Sequence, residues 1–131
     1  MNRREFINRQ SQIGLGLATI SILGGCSSIL EEKTMYGIIG KMLAQPGQRD
    51  QLINILLAGT QDMPGCKSYI ISKDLSDKNA LWINEVWESK ESHAASLKLE
   101  SVQQAISKGK PLIAGFGERF ETEPVGGIGI D

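Results

Sequence analysis

Three residues close together in the chain could move a proton or wall a dry pocket: Glu85, Trp87 and His93. Glu85 and Trp87 are two positions apart, so on an extended strand they share a face. A carboxylate set beside an indole loses hydration, and desolvation raises its affinity for a proton. That makes Glu85 a candidate general base. The same carboxylate also suits an ion pair across a subunit boundary, with Arg119 as its partner. Trp87 offers a flat apolar wall and one N–H donor, or simply a large core side chain. His93 is the single histidine of the chain. Histidine is the usual side chain for proton exchange near neutral pH. His93 is therefore a second candidate base, with a solvent-facing place on a helix as the alternative. One histidine cannot build a multi-histidine metal site, and no metal is expected.

Tyr36, Tyr69 and Arg119 fall at strand positions from which they could reach a shared cavity. A tyrosine can donate to a substrate oxygen, and an arginine can hold a developing oxyanion. Packing roles are the alternative for each. Cys66 is the only cysteine after the leader discussed below. A partnerless cysteine in an exported chain reads first as a small buried hydrophobe. Gly115, Gly117, Gly126, Gly127 and Gly129 follow no strand-to-helix junction, so they form no phosphate loop.

The elements that must position these residues follow from periodicity. Residues 35–43 read as a first strand, whose two glycines permit a bend or the close approach of a helix. Pro46-Gly47 ends it. Residues 48–61 place Leu52, Ile55, Leu56 and Gly59 on one helical face. Met63-Pro64-Gly65 is a turn. Residues 66–74 form a second strand, residues 75–79 a polar hairpin turn. Residues 80–88 form a third strand, with Leu81, Ile83, Glu85 and Trp87 on one face and Trp82, Asn84, Val86 and Glu88 on the other. Ser89 opens a second helix with Glu91 in its first turn. That helix runs to about residue 107 with a break near residues 100–101, and residues 108–111 end it. Residues 112–122 form a last strand. The order β-α-β-β-α-β is the split, ferredoxin-like α+β pattern, with two helices on one face of an antiparallel sheet. The other sheet face has no cover, which invites a second copy of the chain.

The N-terminal residues read as an export signal. Asn2-Arg3-Arg4-Glu5-Phe6-Ile7 resembles a twin-arginine signal, and an apolar run follows over residues 13–23. That run is too short to span a bilayer, which takes ~20 apolar residues. Leu23-Gly24-Gly25-Cys26 resembles a lipobox, with Cys26 as the lipid attachment site. The expected division is a signal over residues 1–26, a tether over 27–33, one domain over 34–123 and a glycine-rich tail over 124–131. The chain is then exported, periplasmic or at the cell surface, and lipid-anchored. Its formal net charge of −1 carries no basic footprint for nucleic acid. Hydrophobic content of 40% is ordinary for a globular domain.

Three stretches carry a family resemblance. They are Met63-Pro64-Gly65-Cys66-x-x-Tyr69, Asn84-Glu85-Val86-Trp87-Glu88-Ser89-Lys90-Glu91-Ser92-His93 and Pro111-Leu112-Ile113-Ala114-Gly115-Phe116. In this element order they resemble the antibiotic biosynthesis monooxygenase family, which includes quinol monooxygenases. The resemblance spans residues 34–123. It implies a dimeric α/β barrel of two ferredoxin-like units. It also implies oxygenation of an aromatic, quinol or polyketide substrate by O₂, with no metal or flavin cofactor. Trp87 matches the family's strand-three tryptophan, which lines the substrate cavity in several members. Ile83 stands where some members place an asparagine, and Asn84 falls on the opposite strand face. Ser96 occupies about the place where many members carry a histidine. The haem-degrading branch uses a first-strand asparagine, which residues 35–43 lack.

The expectation is a cofactor-independent monooxygenase acting on a small aromatic or quinol-like compound. Trp87 is its wall and His93 or Glu85 its base. The alternative is a dimeric ligand-binding or stress-response module of the same fold without chemistry.

Overall fold

A computed structural model describes residues 34–130 of the chain. The export signal with Cys26, and the tether, lie outside the described residues. Strand β1 is Tyr36–Ala44, helix α1 Arg49–Gly59, β2 Cys66–Lys73 and β3 Ala80–Trp87. Helices α2, Lys90–Ser96, and α3, Glu100–Gly109, follow. A 3-10 turn over Lys110–Leu112 leads into β4, Ile113–Thr122. The four strands form one antiparallel sheet in the order β2-β3-β1-β4. This is the ferredoxin-like arrangement that the element order predicts, with the second helix in two pieces.

Directly opposed residues of an antiparallel sheet share a face. Three rows therefore run across the helix-covered side. Cys66, Trp87 and Tyr36 make the first, and Tyr69, Glu85, Ile38 and Glu121 the second. Ile71, Ile83, Gly40 and Arg119 make the third. The alternation predicted for β3 holds: Leu81, Ile83 and Trp87 are buried, and Asn84 is exposed. Ile70, Asn84, Ile39 and Phe120 form a row on the other side. Ile70 and Phe120 are 55% and 53% exposed there.

Helix α1 has no side-chain cap at Gln48. An uncapped helix of this length is marginal alone and depends on packing. Leu52 and Leu56 supply that packing, in one core cluster with Ala44, Leu81 and Ile83. Burying a leucine fully contributes about 1.5–3 kcal/mol. Gly59 lets α3 approach: a Cβ there would lie 2.5 Å from Ala105 Cβ and 2.9 Å from the Ser101 carbonyl oxygen. A second cluster joins Met63, Trp87 and Val102, with Tyr36, Cys66, Tyr69 and Leu99 packed against it.

Ser89 caps α2 as expected, its Oγ accepting from Ser92 N–H at 3.1 Å. The break in the second helix falls at residues 97–99, earlier than the sequence indicates. There Leu97, Lys98 and Leu99 donate to the carbonyls of Ala94, Ala95 and Ser96. Three successive three-residue bonds tighten the turn and release the chain before α3 begins. The Met63-Pro64-Gly65 turn needs its glycine. Gly65 has φ of +84°, and a Cβ there would press on Ser92. Its carbonyl accepts from Glu88 N–H at 2.8 Å, which ties the turn to the end of β3.

The β2–β3 loop is held by two side chains. Asp74 Oδ2 accepts from the Trp82 indole N–H at 2.8 Å, and its Oδ1 accepts from the Ser76 and Asp77 N–H groups. Arg49 Nη1 donates to the carbonyls of Asp74, Asp77 and Ala80. No helix among the described residues is long and apolar enough to cross a membrane.

Candidate functional site

The first two rows of the helix-covered face meet the start of α2, and there the chemical residues converge. Strand geometry brings Glu85 and Trp87 to one face of β3. The Ser89 cap starts α2 immediately after, so His93 folds back over the end of the sheet. The Trp87 indole N–H donates to Glu85 Oε1 at 2.9 Å. His93 Nε2 lies 3.8 Å from the same oxygen. The His93 ring stands edge-on to Trp87 at 5.5 Å and tilted against Tyr36 at 5.6 Å. His93 is thus held between two aromatic rings, with its side chain 19% exposed. The solvent-facing alternative for His93 is therefore wrong: the α2 start turns the ring inward over Trp87.

Burial raises the Glu85 carboxyl above its ordinary value, more than the Trp87 hydrogen bond and the charges of His93 and Arg119 lower it. The result is a carboxylate with increased appetite for a proton, in contact distance of an imidazole. Those are the properties of a proton-accepting pair.

Tyr36 and Arg119 adjoin this cluster through Glu121. The Tyr36 hydroxyl donates to Glu121 Oε2. That bond raises the Tyr36 hydroxyl's pKa, and burial adds to it. It also holds the Glu121 carboxyl below the usual range. Arg119 Nη1 lies 3.7 Å from Glu121 Oε2. Within the chain Arg119 pairs with Glu121, since the two neighbours stand on one face of β4. Lys90 Nζ sits 5.8 Å from the Tyr36 ring centre. Sequence reasoning missed Glu121. Its period-two spacing from Arg119 was visible, but its place opposite Ile38 depends on the β1–β4 register.

Tyr69 is opposite Glu85 and packs against both core clusters. Burial raises its hydroxyl strongly, so it remains a neutral donor. Cys66 is partly buried, and its Sγ donates to the Ser68 carbonyl at 3.5 Å. Burial pushes its thiol up, which fits packing over nucleophilic chemistry. A cavity of about 300 Å³ is lined by Leu57, Met63, Cys66 and Tyr69, between the end of α1 and the start of β2. Trp87 is fully buried. Its indole is a support for Glu85 and His93. Ser96, also buried, donates its hydroxyl to the His93 carbonyl at 2.6 Å and steadies the helix turn that carries the imidazole. Among the described residues no three of His, Cys, Asp and Glu gather to hold a metal ion.

The fold and this acid–imidazole cluster define a small α+β protein of the ferredoxin-like class, with its polar site between sheet and helices. The sequence profile described as antibiotic biosynthesis monooxygenase matches residues 35–108, more than half of the chain. The chain belongs to the antibiotic biosynthesis monooxygenase family. A solved structure from Chloroflexus aurantiacus J-10-fl, provisionally named for that family, is 61% identical. That match covers 74% of this chain and 99% of the other, with a TM-score of 0.72. A provisionally named family protein from Deinococcus radiodurans is 27% identical over 73% of this chain and 98% of its own, with a TM-score of 0.59. One from Caulobacter crescentus CB15 is 16% identical over 72% and 92%, with a TM-score of 0.65, and shares the fold. No curated protein matches the chain.

Proposed function

We propose that this chain is a monooxygenase that oxidises a small aromatic or quinol-like substrate with O₂ and uses no metal or flavin. The observation that carries the reading is the Glu85–His93 pair: a desolvated carboxylate 3.8 Å from an imidazole, enclosed by Trp87 and Tyr36. Such a pair can take the proton of a ring hydroxyl, leaving an electron-rich anion. The anion passes one electron to O₂, and the resulting radical and superoxide combine at a ring carbon. The hydroperoxide then loses water. One oxygen atom enters the ring as a carbonyl, and the other leaves as water with the ring hydrogen and the hydroperoxide's proton. Arg119 supplies positive charge to the anionic oxygen, and Tyr36 helps position His93. The provisional names of the Chloroflexus and Deinococcus proteins support the same reading.

The proposal includes a second copy on the uncovered sheet face, where Ile39, Ile70 and Phe120 offer apolar surface. The proposal also includes export and lipid attachment at Cys26, which rest on the order of charge, apolar run and small residues in the leader.

One observation favours a binding module without turnover. Trp87 is fully buried and spends its N–H on Glu85, so it offers no donor to a substrate.

Oxygen uptake by the purified chain with a panel of quinols, naphthols and hydroxynaphthoquinones separates the two. The oxygenase reading expects uptake above autoxidation, cut at least ~10-fold by Glu85→Gln or His93→Ala. Uptake no faster than autoxidation across the panel selects the binding module.

A further inference from the structure

The chain after β4 contains Pro124-Val125-Gly126-Gly127-Ile128-Gly129-Ile130, a stretch with no charged or hydrogen-bonding side chain. Turns are ordinarily rich in Asn, Asp and Ser as well as glycine. Here the Ile130 N–H donates to the Gly127 carbonyl at 3.4 Å, and the turn that this closes carries Ile128 at its tip. Ile128 is 103% exposed and Val125 70% exposed. The oxygenase reading makes no use of either. Aliphatic side chains held out in water in this way mark a surface that something else covers.

The root of this tail is fixed. Thr122 pairs with Gly37 at the start of β1. A Cβ on Gly37 would lie 3.0 Å from Pro124 Cγ, so the tail leaves the sheet against the beginning of β1. Tyr36, the residue before Gly37, pairs with Trp87 and packs against His93. The tail, the start of β1 and the His93 ring therefore share one end of the sheet. The β2–β3 loop with Lys78 is at the other end, since Ala80 pairs with Leu43.

The N-terminal segment reaches the domain at the tail's end of the sheet. Eight steps of chain separate Cys26 from Thr34. Extended chain covers at most about 3.6 Å per residue, so those steps span at most about 29 Å. The far end of β1 is eight residues beyond Tyr36. At a strand's rise that distance is about 27 Å, nearly the whole reach of the tether. An anchor at Cys26 thus keeps the Tyr36 end of the sheet near the bilayer. Glu121 and Glu123 lead into the tail, and an anionic lipid surface would repel them. Headgroup charge does not supply a contact here; insertion of aliphatic side chains does.

We propose that Val125, Ile128 and Ile130 dip into the lipid surface, as a second membrane contact beside the acylated Cys26. The tail then holds the Tyr36–His93 end of the sheet against the bilayer. The inference rests on the lipid-attachment reading above. A few aliphatic side chains bind a membrane weakly by themselves, and a lipid chain on the same molecule makes the contact effective by holding it close.

The test places an environment-sensitive NBD dye on the tail. The full-length chain with Cys66→Ser and Ile128→Cys is produced with its leader, labelled, and reconstituted into phosphatidylcholine vesicles that carry a nitroxide on the acyl chain. Insertion should quench the dye at least ~2-fold more than in the same chain labelled through Lys78→Cys in place of Ile128→Cys. Adding phosphatidylglycerol should not increase the quenching, and Val125→Asp should abolish it. Equal quenching at the two positions overturns the proposal. So does an emission shift that appears without vesicles and grows with protein concentration, which gives the tail to a second copy. The Cys66→Ser chain with no added cysteine reads the anchor separately. If its Cys26 takes the dye, it is not acylated, and the lipid-attachment reading falls. The tail is then read in a chain that also carries Cys26→Ser, added to the same vesicles: quenching keeps the tail contact, and its absence removes it.

Discussion

Trp87 and Glu85, two positions apart on β3, are joined by an indole N–H donated to Glu85 Oε1 at 2.9 Å. The indole is fully buried, so the bond is made away from bulk water. Trp87→Phe keeps most of the apolar volume and removes the donor. A buried acceptor left short of a partner costs about 1–3 kcal/mol. In a domain of this size each kilocalorie shifts the melting temperature by about 4–8 °C. Thermal denaturation of Trp87→Phe should show a loss in that range. An unchanged melting temperature would mean that the bond adds nothing to stability.

Glu85→Gln should change the pH dependence of stability. Burial raises the Glu85 carboxyl above its ordinary 4.5, so the folded chain holds this proton more tightly than the unfolded chain. The contribution is full below 4.5 and declines as pH rises through the raised folded value. Glutamine carries no charge to bury and can still accept from Trp87. Urea midpoints at pH 4 and pH 7 should move in favour of Glu85→Gln as pH rises. A movement in favour of wild type would contradict the assigned direction.

Asp74 behaves in the opposite sense. The Trp82 N–H, then the Asp77 and Ser76 backbone N–H groups, hold its carboxyl at about 2 against an ordinary 3.8. Its stabilisation is present above 3.8 and is lost as pH falls through about 2. Asp74→Asn should therefore be less stable than wild type at pH 7, with the gap closing as the pH approaches 2. A gap that stays constant in acid titrations followed by circular dichroism would place the effect in hydrogen bonding without charge.

Gly59→Ala tests how closely the helices pack. Alanine favours an isolated helix over glycine by about 1 kcal/mol. Here its Cβ would stand 2.5 Å from Ala105 Cβ, so α1 and α3 must separate. Overpacking of this kind costs about 1–3 kcal/mol, and the net effect should be destabilising. Adding Ala105→Gly should recover part of the loss. If Gly59→Ala melts higher than wild type, the close approach is relaxed in solution.

The fold was legible where local rules agree. The alternation of Leu81, Ile83 and Trp87 against Trp82, Asn84 and Val86 marked the buried face of β3. Leu52 and Leu56 marked the face of α1, and Ser89 the start of α2. The helix break at residues 97–99 was misplaced because it comes from local bonding among Ala94, Ala95 and Ser96, with no glycine or proline to announce it. Glu85, Trp87 and His93 were recognisable as chemical residues, but their contacts were not. His93 could have faced water, and the Arg119–Glu121 pair within the chain had no announcement. Glu121 carried no signal of its own.

The sequence by itself determined which residues share a strand face or a helix face. That follows from backbone geometry one residue at a time, at periods of two and 3.6. Only the tertiary structure decided the registers in which β1 pairs with β3 and β4. Those registers set Tyr36 beside Trp87, Gly40 between Ile83 and Arg119, and Glu121 where it meets the Tyr36 hydroxyl. Such registers join residues far apart in the chain and are set by burial of whole faces together. No local spacing encodes them.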